Sequence, residues 1–449
     1  MASTQSTRLD SEVSLPVEEG SGKSDAIEDS VIRKVTYRLA PLMCLLYVVA
    51  YIDRQNIGFA KLQMAASLKL SETAFGLGAS LFFIGYLLFE VPSNIVLRKV
   101  GPRTWFARIL LTWSTVTVAL AFTHSTWLFY TLRFLLGAAE AGLYPGLLYC
   151  ATLWFPLRNR PRIISYLVMA SLVANMLSGP LCGILLGLDG AHGFEGWQWT
   201  FIGTGAVAML MAIPTLAWFP DKPETATFLN EREKKWLVDT LREEKVPENE
   251  HGLTQTRKAF TDPRVLLLAL VLGFISFGAY GLGYWMPTIV KSFGVGNVVN
   301  GFINMIPWVF AIFLLLWLTR KPGRTSSPYL NVALPMFVAG AFLAVSVLEI
   351  GPVFRFASLC MVVLAIFSVQ PCFWTLSRFL SGGAAAAGLA IINSLANLGG
   401  FLAQSTVPLV RDLTGSVIAP MLFLSVSMVI GGCVTLGVIK YLKRFADQE

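Results

Sequence analysis

Tyr47 to Ala60 reads YVVAYIDRQNIGFA, and it sets an adjacent Asp53 and Arg54 inside an apolar helical stretch that begins near Thr36. A charge pair away from water is costly unless each member is partnered, and ionisable residues inside a membrane-spanning segment mark a functional site by default. Such a pair needs three things from the rest of the chain: a membrane, a cavity and partners.

The chain supplies the membrane. It has 449 residues, 55% hydrophobic and only 14% charged, with a mean hydropathy of +0.63. Soluble domains carry about 25% charged residues, so the composition predicts an all-α membrane protein. Segments long enough to cross about 30 Å of hydrocarbon fall at 37–60, 73–97, 104–123, 127–154, 162–187 and 197–219. Six more fall at 264–290, 298–319, 328–348, 354–377, 384–410 and 416–439. The expected organisation is a polar, disordered tail over 1–34, a six-helix bundle over 35–219, a linker over 220–261, a second six-helix bundle over 262–440 and a short tail over 441–449.

Basic residues set the expected orientation. Arg33, Lys34 and Arg38 precede the first span, Arg98, Lys99 and Arg103 join the second to the third, and Arg158, Arg160 and Arg162 join the fourth to the fifth. Arg320, Lys321 and Arg324 lie between the eighth and ninth, and Lys440, Lys443 and Arg444 follow the twelfth. The turns on the other side hold little besides Lys61, Lys69, His124 and His192. The bias predicts that both termini and the linker are cytoplasmic. The net charge of +8 is thereby absorbed by topology, and with no basic helix free of an apolar segment, no nucleic-acid partner is expected. The six cysteines lie in apolar stretches without metal-ligand spacing, so neither disulfides nor a metal site is expected. No cofactor motif and no nucleophile–base cluster points to an enzyme.

The linker carries PDKPETATFLNEREKKWLVDTLREE, an amphipathic helical pattern with Asn230 as a plausible cap. Two equal bundles joined in this way suit a transporter whose halves rock around a central site. A channel would show a filter loop or a charge ring.

The fourth span repeats the anomaly of the first. Arg133 and Glu140 are two turns apart and share a face, so two carboxylates and two guanidiniums are expected around one cavity. Arg54 is placed to offer a bidentate fork to a substrate carboxylate, with Asp53 and Glu140 as proton carriers. Burial favours a neutral carboxyl and a neighbouring guanidinium favours the charged one, so an anion that occupies the arginine promotes proton uptake. The second half offers uncharged groups: Tyr280, Tyr284 and Trp285, Asn304 and Trp308, Gln370 and Trp374, and Asn393, Asn397 and Gln404. These suit the remainder of an oxygenated acid. Gly179, Gly183 and Gly187 permit close helix approach in the fifth span, and Glu90 is expected to gate or to anchor the basic junction of Arg98 and Arg103.

Three motifs carry a family resemblance: Tyr51–Ala60 (YIDRQNIGFA), Gly85-Tyr86 with Phe89–Asn94 (FEVPSN), and Arg133-Phe134 through Gly137–Gly142 (GAAEAG) with Pro145-Gly146. Across about 30–445 the chain resembles the major facilitator superfamily, and within it the anion:cation symporters, whose bacterial members carry hexonates, hexuronates, tartrate and phthalate across the inner membrane. The resemblance implies proton-driven uptake of a small organic anion, and one complete cavity per chain makes a functional monomer the default expectation. It assigns the carboxylate to Arg54 and protons to Asp53 and Glu140. It places Tyr51, Tyr86, Arg133, Trp374 and Asn393 at the site. Two departures stand out. Arg98 replaces the usual aspartate after the second span, and Ser171, with Asn175 one turn on, stands where sugar-acid permeases carry glutamine. An exporter or exchanger of anions with the same fold is the alternative, and a non-transporting membrane sensor is a more distant one.

Overall fold

The computed structural model describes residues 19–244, 260–319, 327, 329–374, 376 and 384–446, and these are helices joined by short turns. The first half comprises α1 (Glu19–Ser67), α2 (Glu72–Val100), α3 (Pro102–Leu120), α4 (Thr126–Glu140), α5 (Leu143–Trp154), α6 (Arg160–Leu186) and α7 (Gly196–Trp218). A linker helix, α8 (Glu231–Glu243), precedes α9 (Pro263–Lys291), α10 (Asn297–Thr319), α11 (Leu334–Val345), α12 (Pro352–Phe373), α13 (Ala384–Thr414) and α14 (Ala419–Ala446). Nine segments of the described residues are each long and apolar enough to cross a membrane. With α3, α11 and α13 they form two pseudo-symmetric bundles, and the protein is an all-α, multi-spanning membrane protein.

Exposed apolar side chains confirm which surface faces lipid. Leu210, Ile213 and Phe313 are exposed on the outside of the bundles, whereas the buried polar groups Asp53, Asn56, Arg133 and Glu140 lie inside. Hydrocarbon solvates the former without loss and the latter only with partners. All six cysteines are free thiols, Cys150 and Cys182 buried and Cys433 exposed on the outer surface of the bundle.

Two elements depart from the expected spans. The fourth span is broken: Ala141 leaves helical geometry (ψ 132) and Gly142 is left-handed at φ 91. Ser93 packs where a side chain at Gly142 would stand, so only glycine suits both the backbone and the space. The break ends α4 at Glu140. The first helix also starts earlier than expected, at Glu19 rather than after residue 34, with Val31 and Val35 buried.

The linker helix packs on this extension. Lys34 Nζ and Ser30 Oγ donate to the Glu233 carboxylate at 2.7 and 3.1 Å. Glu233 also closes a capping box with Asn230, accepting from the Asn230 N–H at 3.0 Å while its own N–H donates to Asn230 Oδ1 at 2.8 Å. Burial alone would raise the Glu233 carboxyl, but the Lys34, Asn230 and Ser30 hydrogen bonds outweigh it and hold the group below its ordinary value. Residues 1–18, 245–259 and the basic turn at Arg320, Lys321 and Arg324 lie outside the described residues.

Glu233→Ala removes the Lys34 ion pair and the side-chain half of the capping box, while Asn230 keeps its own bond to the residue-233 N–H. The expected result is faster protease cleavage within 220–244 with the bundles intact. Because the folded-state carboxyl is depressed, its contribution is present above the unfolded value near pH ~4.3 and is lost as pH falls through the lower folded value. Cleavage of the unaltered protein should therefore accelerate only in acid, and an unchanged acid profile would remove Glu233 as the anchor.

Candidate functional site

The side chain of Arg54 sits where both bundles meet. Arg54 Nε donates to Glu140 Oε1 at 2.7 Å, and the rings of Tyr86, Phe82 and Tyr51 lie 4.9, 5.4 and 5.7 Å from its guanidinium carbon. The second half reaches it through Tyr280, whose hydroxyl is 3.5 Å from Arg54 Nη1. Cation–π contacts of this kind hold a guanidinium without consuming its hydrogen-bonding edge. The ion pair depends on backbones that touch: a side-chain carbon added at Gly137 of α4 would strike the Phe82 carbonyl of α2, and one at Gly85 would strike the Phe134 carbonyl. That crossing, with the chain break after Glu140, brings the carboxylate to α1.

A cavity of about 130 Å³ opens beside Arg54. This is on the scale of an engineered cavity of about 150 Å³ that holds one benzene ring. Its walls join Tyr51, Arg54, Tyr86, Ser171 and Asn175 of the first half to Trp374, Asn393 and Asn397 of the second, residues the sequence reading had singled out. Tyr47, Gln55, Tyr144, Ser276, Tyr280, Trp308 and Phe367 line it too, among smaller apolar side chains. Tyr47 stacks on Tyr144 with centroids 4.9 Å apart, and Gln55 Nε2 donates to Asn175 Oδ1. Of these, Tyr47, Gln55, Tyr144, Ser276 and Phe367 were missed. The available signal was spacing, since Tyr47, Tyr51 and Gln55 recur every four residues on one face of α1.

Other expected members lie elsewhere. Asp53 does not line the cavity: it is buried against α3 and α7, accepting from Thr117 Oγ1 and Asn56 Nδ2 at 3.0 Å each, while Asn56 also donates to Thr204. Neighbouring residues point about 100° apart around a helix, and here Asp53 turns to α3 and α7 while Arg54 and Gln55 face the cavity. Arg133, 2% exposed, donates from Nη2 to the Ala79 carbonyl at 3.0 Å, and lines a smaller void with Tyr284 and Gln404. The four charges therefore surround a helix packing, with Arg54 alone of them on the cavity wall. Tyr284, one turn beyond Tyr280, is buried against Phe75 and Trp285 and is also outside the cavity. The side chain of Gln370 lies outside the described residues. Glu90 accepts from Ser394 of α13 at 2.8 Å rather than meeting the basic junction. At that junction the Arg98 guanidinium lies over Tyr149, and the Arg103 backbone N–H donates to Asp221 at 2.9 Å.

The cavity lies toward the linker end of the helices, and the opposite end is sealed. Gly179 and Gly183 of α6 meet Gly301 of α10 backbone to backbone, and Gly58 lies against Tyr284. Lys61, expected in an outer turn, is instead 5% exposed because α1 runs on to Ser67. Its Nζ sits 2.6 Å from Glu72 and 3.6 Å from the Trp285 centroid. Glu72 pairs in turn with Arg411 of α13 at 3.2 Å, and the Thr73 N–H donates to Asp412 at 2.8 Å. Both of these contacts cross between the halves.

Residues 43–404 match the Major Facilitator Superfamily. The chain belongs to that family. It is 43% identical over 423 residues to a quinolone resistance transporter of Acinetobacter baumannii, covering 94% of this chain and 98% of that one. It is 40% identical over 411 residues to a putative tartrate transporter of Agrobacterium vitis, covering 91% of each. Its fold superposes on a bacterial homologue of the lysosomal transporter Spinster with a TM-score of 0.72 at 16% identity, covering 90% of this chain and 96% of that one. The protein is thus a secondary transporter of a small organic solute that works by alternating access, and belongs to no enzyme family.

The seal yields a prediction. In Arg411→Gln the Glu72 tie between the halves is lost, and a cysteine placed at the buried Gln404 should react several-fold faster with a membrane-impermeant maleimide added at the sealed end. An unchanged labelling rate would remove Arg411 from the closure.

Proposed function

We propose that the protein carries a small organic carboxylate, with Arg54 as the anion clamp and a proton accompanying the substrate, in the manner of the anion:cation symporters. The observation behind this reading is Arg54 on the cavity wall with Glu140 paired to it from behind. Glu140 uses one edge of the guanidinium, its second oxygen has no partner among the described residues, and the rest of the fork borders an aromatic cavity of solute size. A substrate carboxylate that takes over Arg54 displaces Glu140, and a displaced, buried carboxylate takes up a proton. Tyr51, Tyr86, Asn175, Trp374, Asn393 and Asn397 would hold the body of the acid. Ser171, short where amide contacts are otherwise made, leaves width for a ring. In the proposed topology the termini and linker are cytoplasmic and the seal faces outward, so this state would release substrate inward.

An exporting direction has one specific support, the relative named for quinolone resistance. Flux in proteoliposomes with an imposed pH gradient separates the two directions.

The carrying prediction concerns the clamp. A hydrogen bond to a charged group contributes about 1.5–3 kcal/mol, so Arg54→Ala should weaken binding of a transported acid on the order of 10- to 100-fold, and unaltered affinity would defeat the clamp. Glu140→Gln should keep counterflow exchange while losing accumulation driven by a pH gradient. Undiminished gradient-driven accumulation would defeat the coupling.

A further inference from the structure

The amino-terminal part of α1 has two faces. Val31, Val35, Leu39, Leu42 and Leu46 are buried in the bundle, while Arg33, Lys34, Tyr37, Arg38, Pro41 and Leu45 are exposed along the opposite side. At 100° per residue the exposed set spans one continuous stripe. Along the axis its chemistry changes: the basic residues end at Arg38, and Pro41 and Leu45 follow within about 10 Å at 1.5 Å per residue. Leu45 already faces the hydrocarbon that the other exposed apolar side chains share.

Above the change in polarity, Arg33, Lys34, Tyr37 and Arg38 line an open cleft of about 380 Å³ with Phe228 of the linker as its other wall. Tyr37 is 76% exposed although it is aromatic, and Phe228 is fixed in place by stacking on Trp154. Lys34 is committed to Glu233 at 2.7 Å, which leaves Arg33 and Arg38 as the cleft's two guanidiniums. Asp29, one turn nearer the terminus, does not line the cleft.

We propose that this cleft holds the phosphate head group of an anionic phospholipid, its acyl chains lying along Pro41 and Leu45. Planar guanidiniums match a phosphate in bidentate fashion, basic pockets at the ends of membrane helices suit such head groups, and an exposed tyrosine suits the interfacial depth. The continuity of the basic cleft with a lipid-facing stripe selects a lipid over a soluble phosphate, whose site would need no apolar extension. The bound lipid rests on the turn of α1 that anchors α8, so it also braces the linker against the first bundle.

The test uses the full chain purified in mild detergent. Native mass spectrometry with added phosphatidylglycerol should show one retained lipid on the wild-type protein and none with phosphatidylcholine. The R33Q/R38Q variant should retain about thirtyfold less, with R33K/R38K, which keeps the charge but loses the planar fork, falling between the two. Equal retention by wild type and R33Q/R38Q would overturn the proposal, as would loss from the lysine pair as complete as from the glutamine pair. Inorganic phosphate that raises the melting temperature of the wild-type protein as much as phosphatidylglycerol does would assign the cleft to a soluble anion and overturn the lipid assignment.

Discussion

The interaction on which the structure turns is the 2.7 Å contact between Arg54 and Glu140. In a medium with no water to solvate either charge, each must be brought to the other by packing, and three features of the chain do so. The Gly85–Gly137 crossing lets α2 and α4 touch, the left-handed Gly142 ends α4 at the carboxylate, and Phe82, Tyr51 and Tyr86 surround the guanidinium with ring faces. Buried ion pairs contribute little net stability. Three separate features of packing thus converge on this one pair.

The adjacent Asp53 shows how a helix divides two charges between two surroundings. With about 100° between neighbours, Arg54 faces the meeting of the halves while Asp53 faces α3 and α7, where Thr117 and Asn56 satisfy it. The same economy of direction governs the sealed end. Lys61 lies two turns beyond Arg54 on α1 and faces Trp285 and Glu72, so a single helix contributes to both the solute cavity and the closure beyond it. A shift of α1 against α9 would alter both at once.

Much of this was legible in the chain. Twelve spans, their division by the linker, and Arg54 and Glu140 as central residues follow from charges that stand out against apolar sequence. What was not legible is direction. Depth along a span follows from counting residues, which placed Asp53, Arg54 and Arg133 together, but the face each presents depends on which helices pack against it. Tyr280 and Tyr284 illustrate the point, since one turn separates a cavity wall from packing against Phe75. Tyr47, Gln55, Tyr144, Ser276 and Phe367 went unnoticed because which uncharged side chain turns to the cavity depends on helix packing and not on its type. Lys61 was misplaced because helices here overrun the hydrophobic segment that announces them, and α1 does so at both ends.

In the proposed mechanism an anion and a proton would travel together without any long-range signal. The cavity wall holds one guanidinium already balanced by one carboxylate. If a second carboxylate takes the guanidinium, the low-dielectric region around it would contain two negative charges and one positive, unless Glu140 becomes neutral. Two like charges a few ångströms apart are unfavourable even at an effective dielectric constant of about 20, where the repulsion reaches about 4 kcal/mol at 4 Å. Binding of the solute and protonation of Glu140 then favour one another through shared charge balance at one arginine, and by linkage each must strengthen the other by the same factor. Asp53, about 100° round α1 from Arg54 and hydrogen-bonded to Thr117 and Asn56, does not touch the cavity.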